Sequence, residues 1–136
     1  RRADLCLGLR SGGCAHCSQR HVAYLHVIEP RIKGGDLIAE GMGPVAAQEL
    51  GQIFKAPIIA AGGFDPDTAE TAVANGVASL IAFGRQFIAN PDLPKRIKLG
   101  LPLNRYDRST FYGFDARGYT DYPTYEAVKA AQAEVA

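Results

Sequence analysis

The clearest alternation of apolar and polar positions lies over residues 57–85, PIIAAGGFDPDTAETAVANGVASLIAFGR. It reads as a buried strand at 58–61, a Gly62-Gly63 turn, a helix, and a second buried strand at 79–83 ending in Gly84-Arg85. Asp65 and Pro66 predict the helix start, an acceptor at the cap followed by proline in the first helical position. Asp67 and Glu70 suit its positive end, and Gly76 suits its stop. Upstream, the apolar run AYLHVI at 23–28 predicts another strand, halted by Pro30 after Glu29. In PVAAQELGQIFK the spacing of Val45, Ile53, Leu50 and Phe54 predicts a helix opening at Pro44. Residues 33–43, with four glycines, read mostly as loop. A third helix is expected over 91–99 behind Asn90, stopped by Gly100, and a closing helix after Pro123, where TYEAVKAAQAEVA is rich in helix formers. Strand, helix and strand joined by short loops predict parallel pairing and an α/β fold.

The first twenty residues differ from the rest. They hold all three cysteines and four arginines against one aspartate. Cys14 and Cys17 form a C-x-x-C around His16, with Cys6 and His21 nearby, so a tetrahedral metal site is one reading. One such pair without a second is a weak signal, and a poorly ordered, reduced leader is the plainer reading. An odd number of cysteines argues against a closed disulfide framework and points to a cytoplasmic setting. We therefore divide the chain into a leader, 1–20, and a domain, 21–136.

Composition narrows the function classes. The chain has 136 residues with 47% hydrophobic content, enough for one globular unit. Its 15 Lys+Arg against 14 Asp+Glu give a net charge of +1, unlike the basic field of a nucleic-acid binder. No apolar run approaches the roughly 18 residues of a membrane span. A soluble protein with a small-molecule ligand is expected, without nucleic-acid or membrane partners.

Candidate chemistry centres on the two glycine-ended strands. Phosphate commonly sits at the loops after adjacent parallel strands, where glycine lets the main chain approach the oxygens and backbone N–H groups attract anions. Arg85 adds a fork of donors, each charge-assisted hydrogen bond worth roughly 1.5 to 3 kcal/mol. Gly62, Gly63, Gly84 and Arg85 are the candidate phosphate residues; tight turns beside a surface arginine are the alternative. His26, inside a strand, reads as a hydrogen-bonded structural residue. Glu29 and Arg31, at that strand's carboxyl end, read as a local ion pair as readily as chemistry.

Five segments, YLHVIEPR (24–31), AAGGF (60–64), FGRQFIANPDL (83–93), LPLNRYDRSTFY (101–112) and GYTDYPTYE (118–126), resemble in order and spacing the carboxyl-terminal third of the Old Yellow Enzyme family. Its members are FMN-dependent ene-reductases on a (β/α)8 barrel. The resemblance covers about residues 21–128 and leaves the leader outside. It implies a partial TIM barrel, the last three βα units followed by an aromatic-rich excursion across the barrel mouth and a terminal helix. It also implies that Gly62 and Gly63 give backbone contacts to the FMN phosphate, that Gly84 and Arg85 complete that pocket, and that Tyr112 lines the substrate side of the flavin. Phe87, near the cofactor by the same resemblance, reads as packing. NAD(P)H is the implied reductant and an activated alkene the implied substrate.

The family's substrate-anchoring histidine pair and proton-donating tyrosine belong to strands before the matched region, and His16 and His21 do not stand in for them. No catalytic residue is therefore expected in this segment, and no metal ligand. A barrel of this kind needs about 250 residues, so a truncated product is expected, with open sheet edges that invite self-association. Two other classes stay open: a phosphate-binding barrel piece of different chemistry, and a non-catalytic interaction or metal-binding product defined by the leader.

Overall fold

The computed structural model describes residues 22–30, 32–33, 36–37, 45–111, 113 and 115–135. Its elements run β1 (Leu25–Ile28), β2 (Ile32–Lys33), β3 (Asp36–Leu37), α1 (Ala46–Ile53), β4 (Ile58–Ala61), α2 (Pro66–Ala74), β5 (Leu80–Ala82), α3 (Arg85–Ala89), α4 (Leu93–Leu99), a 3-10 turn (Arg108–Thr110) and α5 (Tyr125–Val135). They fall into two compact units, one ending at Ala82 and the other beginning at Phe83. The leader's Cys6, Cys14, Cys17, His16 and His21 lie outside the described residues, as do Arg31, Pro44 and Tyr112.

The first unit is built on a three-stranded parallel sheet in the order β1-β4-β5. Parallel pairing follows from the connections, since each pair of neighbouring strands is joined through a helix. Helix α1 lies against β1 and β4, and α2 against β5. The central strand carries Ile58 and Ala60 buried, with Ile59 and Ala61 half-buried, as expected of a strand covered on both faces. Val27, Ala46, Ala47, Phe54, Ala69, Ala72 and Ala78 fill the rest of this core. The many alanines let helices approach the sheet closely.

Two local readings gain detail here. The stretch 33–43, read mostly as loop, contributes Lys33, Asp36 and Leu37 to a short antiparallel pair, Ile32 opposite Leu37 and Lys33 opposite Asp36. Glycine content masked a two-residue ladder too short to show a period. The local ion pair of Glu29 with Arg31 lies outside the described residues, and the partners described for Glu29 are of another kind. Its side chain is buried and its carboxylate accepts from the first backbone N–H groups of α1: Val45 at 2.8 Å, Ala46 at 2.9 Å and Ala47 at 3.0 Å. Val45, at the N-cap, has no side-chain acceptor of its own. Glu29 supplies the missing cap from across the fold, and its charge meets the positive helix end.

The second unit contains α3, α4 and α5. The expected helix over 91–99 is α4, which begins at Leu93 and is preceded by a separate short helix, α3, that starts at Arg85 and runs through residues to which the sequence assigns no element. Gly100 stops α4 in the left-handed region, φ 62° and ψ 31°, as anticipated. The closing helix begins at Tyr125, just beyond Pro123. Among the described residues, no helix is long and apolar enough to cross a membrane.

Candidate functional site

The register of the sheet brings its strand ends into line. Ile28 pairs with Ala61, and Ala61 with Ala82, so β1, β4 and β5 finish side by side at their carboxyl ends. The Glu29 N–H donates to the Ala61 carbonyl at 2.9 Å and extends that alignment by one residue. Gly62 is the next residue after Ala61 along the chain, and Gly84 stands two residues beyond Ala82. The Gly62-Gly63 turn thus leaves β4 at the height at which β1 and β5 end.

In the first unit, Gly62 and Gly63 take φ of 104° and 70°. A side chain is strained at either angle, so glycine is required by the backbone and not merely tolerated. The chain then enters α2 through a complete capping box. The Asp65 carboxylate accepts from the Thr68 N–H at 2.8 Å, and the Asp65 N–H donates to the Thr68 hydroxyl at 3.0 Å. Phe64, buried between the turn and the cap, anchors the intervening residue. This fixes the exit of β4 from both sides.

In the second unit, Gly84 is the N-cap of α3 with φ −88° and ψ −83°, and a Cβ placed there meets nothing within 4 Å. Glycine here keeps a space open; its φ is one other residues adopt. Arg85 is the first residue of α3, and its guanidinium carbon lies 5.4 Å from the centroid of the Tyr106 ring. Each unit by itself carries a feature that suits an anion: the first, main chain free of Cβ atoms at Gly62 and Gly63; the second, an unobstructed Gly84 followed by the permanent cation of Arg85.

What sequence reasoning missed in this unit is the polar cluster behind Arg85. Asn90 is fully buried at the end of α3, and its Oδ1 accepts from the Asn104 N–H at 2.7 Å. Asn104 returns the link, its amide donating to the Ala89 carbonyl at 2.9 Å and the Pro123 carbonyl at 2.8 Å. Arg96, also buried, donates to Asp92 at 2.7 Å, to the Pro102 carbonyl at 2.7 Å and to the Pro123 carbonyl at 3.0 Å. The other Asp92 oxygen accepts from the Tyr125 N–H at 2.8 Å, so one carboxylate ties α4 to the start of α5. Burial raises the Asp92 pKa, but the Tyr125 N–H and the Arg96 guanidinium more than reverse this and hold it below its ordinary value of 3.8. The available signal was asparagine and arginine inside otherwise apolar helical stretches.

Two further residues resolve differently from their sequence readings, and a third is outside the described residues. Phe87 is 47% exposed, so it is not a core packing residue. His26 is exposed on β1, paired through its backbone with Ile59, and no side-chain hydrogen bond of His26 is seen among the described residues. Tyr112, the expected substrate-side residue, is outside the described residues, while its neighbour Phe111 sits between Tyr106 and Tyr119, with ring centroids 5.8 and 6.5 Å away. Among the described residues no group of three or more His, Cys, Asp or Glu is arranged to hold a metal.

Comparison with known proteins gives a consistent family. Residues 13–104 match the model of the NADH:flavin oxidoreductase / NADH oxidase family, a match that begins inside the cysteine-rich leader. The chain is 50% identical over 109 residues to 12-oxophytodienoate reductase 1 of Oryza sativa subsp. japonica, covering 77% of this chain and 27% of that protein. A structure of morphinone reductase in complex with tetrahydroNAD aligns with a TM-score of 0.71 and 39% identity, over 86% of this chain and 30% of its own. The old yellow enzyme of Trypanosoma cruzi aligns with a TM-score of 0.74 and 32% identity, over 87% of this chain and 30% of its own. The chain spans under a third of the length of each of these relatives.

Proposed function

The chain belongs to the NADH:flavin oxidoreductase / NADH oxidase family, the Old Yellow Enzyme group its motifs resemble, and from that premise we propose that it supplies the phosphate-holding part of an FMN-dependent oxidoreductase. The reaction class is NAD(P)H-dependent reduction of an activated alkene, in keeping with relatives named as 12-oxophytodienoate and morphinone reductases. In this reading β1, β4 and β5 are consecutive strands of a (β/α)8 barrel whose earlier strands are not among the described residues. When bound, FMN relays hydride from the nicotinamide to the alkene. The work of this chain's residues is to hold and orient.

Gly62 and Gly63 present main chain to the phosphate oxygens, Gly84 keeps its approach open, and Arg85 neutralises its charge. Tyr112 faces the substrate side. Glu29 acts indirectly: by capping α1 it holds the crossover between β1 and β4, and with it the height at which the Gly62-Gly63 turn leaves the sheet. The observation that carries the proposal is the in-register ending of the three strands at Ile28, Ala61 and Ala82, coupled to positive φ at both glycines after Ala61.

Equilibrium dialysis of the intact chain against FMN and against riboflavin, which lacks the phosphate, tests it. FMN should be retained more tightly than riboflavin, and Arg85→Ala should weaken FMN about 10- to 100-fold, the loss of one or two charge-assisted hydrogen bonds, while leaving riboflavin unchanged. Equal retention of the two flavins by the unaltered chain contradicts the assignment.

A further inference from the structure

The Arg85 guanidinium has a built support that the phosphate reading does not require. Its carbon lies 5.4 Å from the Tyr106 ring centroid, within the range at which an aromatic face attracts a cation. Tyr106 is half-buried and held on both sides. Two residues before it, Asn104 is bonded through its N–H to Asn90 and through its amide to the Ala89 carbonyl, both at the end of the helix that Arg85 begins. One residue after it, the Asp107 N–H donates to the Tyr122 hydroxyl at 2.9 Å. The Tyr106 ring also packs against Phe111, 5.8 Å between centroids. The same asparagine pair, Asn90 buried and Asn104 half-buried, therefore ties together the helix bearing the arginine and the segment bearing the ring.

From this geometry we infer that Tyr106 is a positioning residue for Arg85: its ring face restricts the guanidinium to a narrow range of orientations, so that the cation is presented to the flavin phosphate without first losing rotamer freedom. A long arginine side chain has several rotatable bonds, and restricting them before the ligand arrives strengthens binding without any new contact to it. The inference rests on the phosphate role of Arg85. It adds a residue, Tyr106, that does not touch the ligand.

The test is equilibrium dialysis of FMN and riboflavin with the full chain carrying Tyr106→Phe, Tyr106→Leu, Arg85→Ala and the Arg85→Ala/Tyr106→Leu pair. Tyr106→Phe keeps the ring face and should bind FMN as the unaltered chain does. Tyr106→Leu keeps apolar bulk but removes the face, and FMN retention should fall about three- to tenfold, the usual range for an exposed to partly buried cation–π contact, with riboflavin unchanged. On the Arg85→Ala background the same leucine substitution should have no further effect. A loss in Tyr106→Leu that persists on the Arg85→Ala background, or an equal loss for riboflavin, shows a merely structural role and overturns the inference. So does full FMN affinity in Tyr106→Leu while Arg85→Ala is impaired, an outcome that leaves the phosphate reading standing. Absence of any FMN preference in the unaltered chain removes both.

Discussion

In the unit that ends at Ala82, loops are held by backbone and apolar packing, with Ile58, Ala60 and Phe54 buried under helices and one carboxylate, Glu29, brought in to cap α1. In the unit that begins at Phe83, the largest fully buried side chains include Arg96 and Asn90, and four polar residues do what a hydrophobic core does elsewhere. The difference bears on how the candidate phosphate residues of each unit are made rigid. Gly62 and Gly63 are constrained by their own φ angles and by the cap that follows; Arg85 is constrained from a distance, through Asn90, Asn104 and Tyr106. A site half tolerates surface changes when its constraint is local. It is exposed to single losses when the constraint is a network.

The largest expected effect is therefore in the second unit. Arg96→Ala leaves Asp92 without its cation and the Pro102 carbonyl without its donor, and should lower stability by about 3 to 5 kcal/mol in denaturant unfolding. A loss no greater than that of an exposed residue would mean that the cluster is not what holds this unit. Next comes Glu29→Ala, which strips three N–H groups at the start of α1 of their acceptor and should cost about 2 to 3 kcal/mol. Glu29→Gln keeps one acceptor oxygen and should cost less. If the two variants are equal, the carboxylate is not acting as a cap.

The smallest effect is the pH dependence carried by Asp92. Its pKa is lowered on folding, so its contribution is complete above the ordinary value of 3.8 and is lost as pH falls through the lower folded value. Melting temperatures of the unaltered chain and of Asp92→Asn, followed from neutral pH into the acid range, should differ most at neutral pH and converge below 3.8. Taking the difference is needed because Asp107, through the Ser109 hydroxyl, and Glu126, through Lys95, are also lowered and titrate in the same range. A difference that widens on acidification would reverse the assigned sign.

Legibility in the sequence followed the same division. Period and punctuation sufficed for β4, its glycine turn, the Asp65 cap and α2, because each depends on residues within a few positions of one another. The same local signals placed α5 after Pro123. They failed for Glu29, whose partners lie 16 to 18 residues away, and for the Asn90–Asn104 and Arg96–Pro123 links, which span 14 and 27 residues. Glu29, Asn90 and Arg96 are buried because each finds backbone partners that no local pattern announces. Helix α3 was hidden for a related reason: five residues complete barely more than one turn and carry no period. Of the candidate site, the residue types and their spacing were visible, and the ring that braces Arg85 was not.

The most direct measurement of the central claim is the phosphorus-31 resonance of FMN as the intact chain is added. The phosphate-holding assignment predicts that this signal shifts and broadens with the unaltered chain and that Arg85→Ala restores it toward the free position. A phosphorus resonance that stays where free FMN has it, while the flavin is retained by the chain, would contradict it.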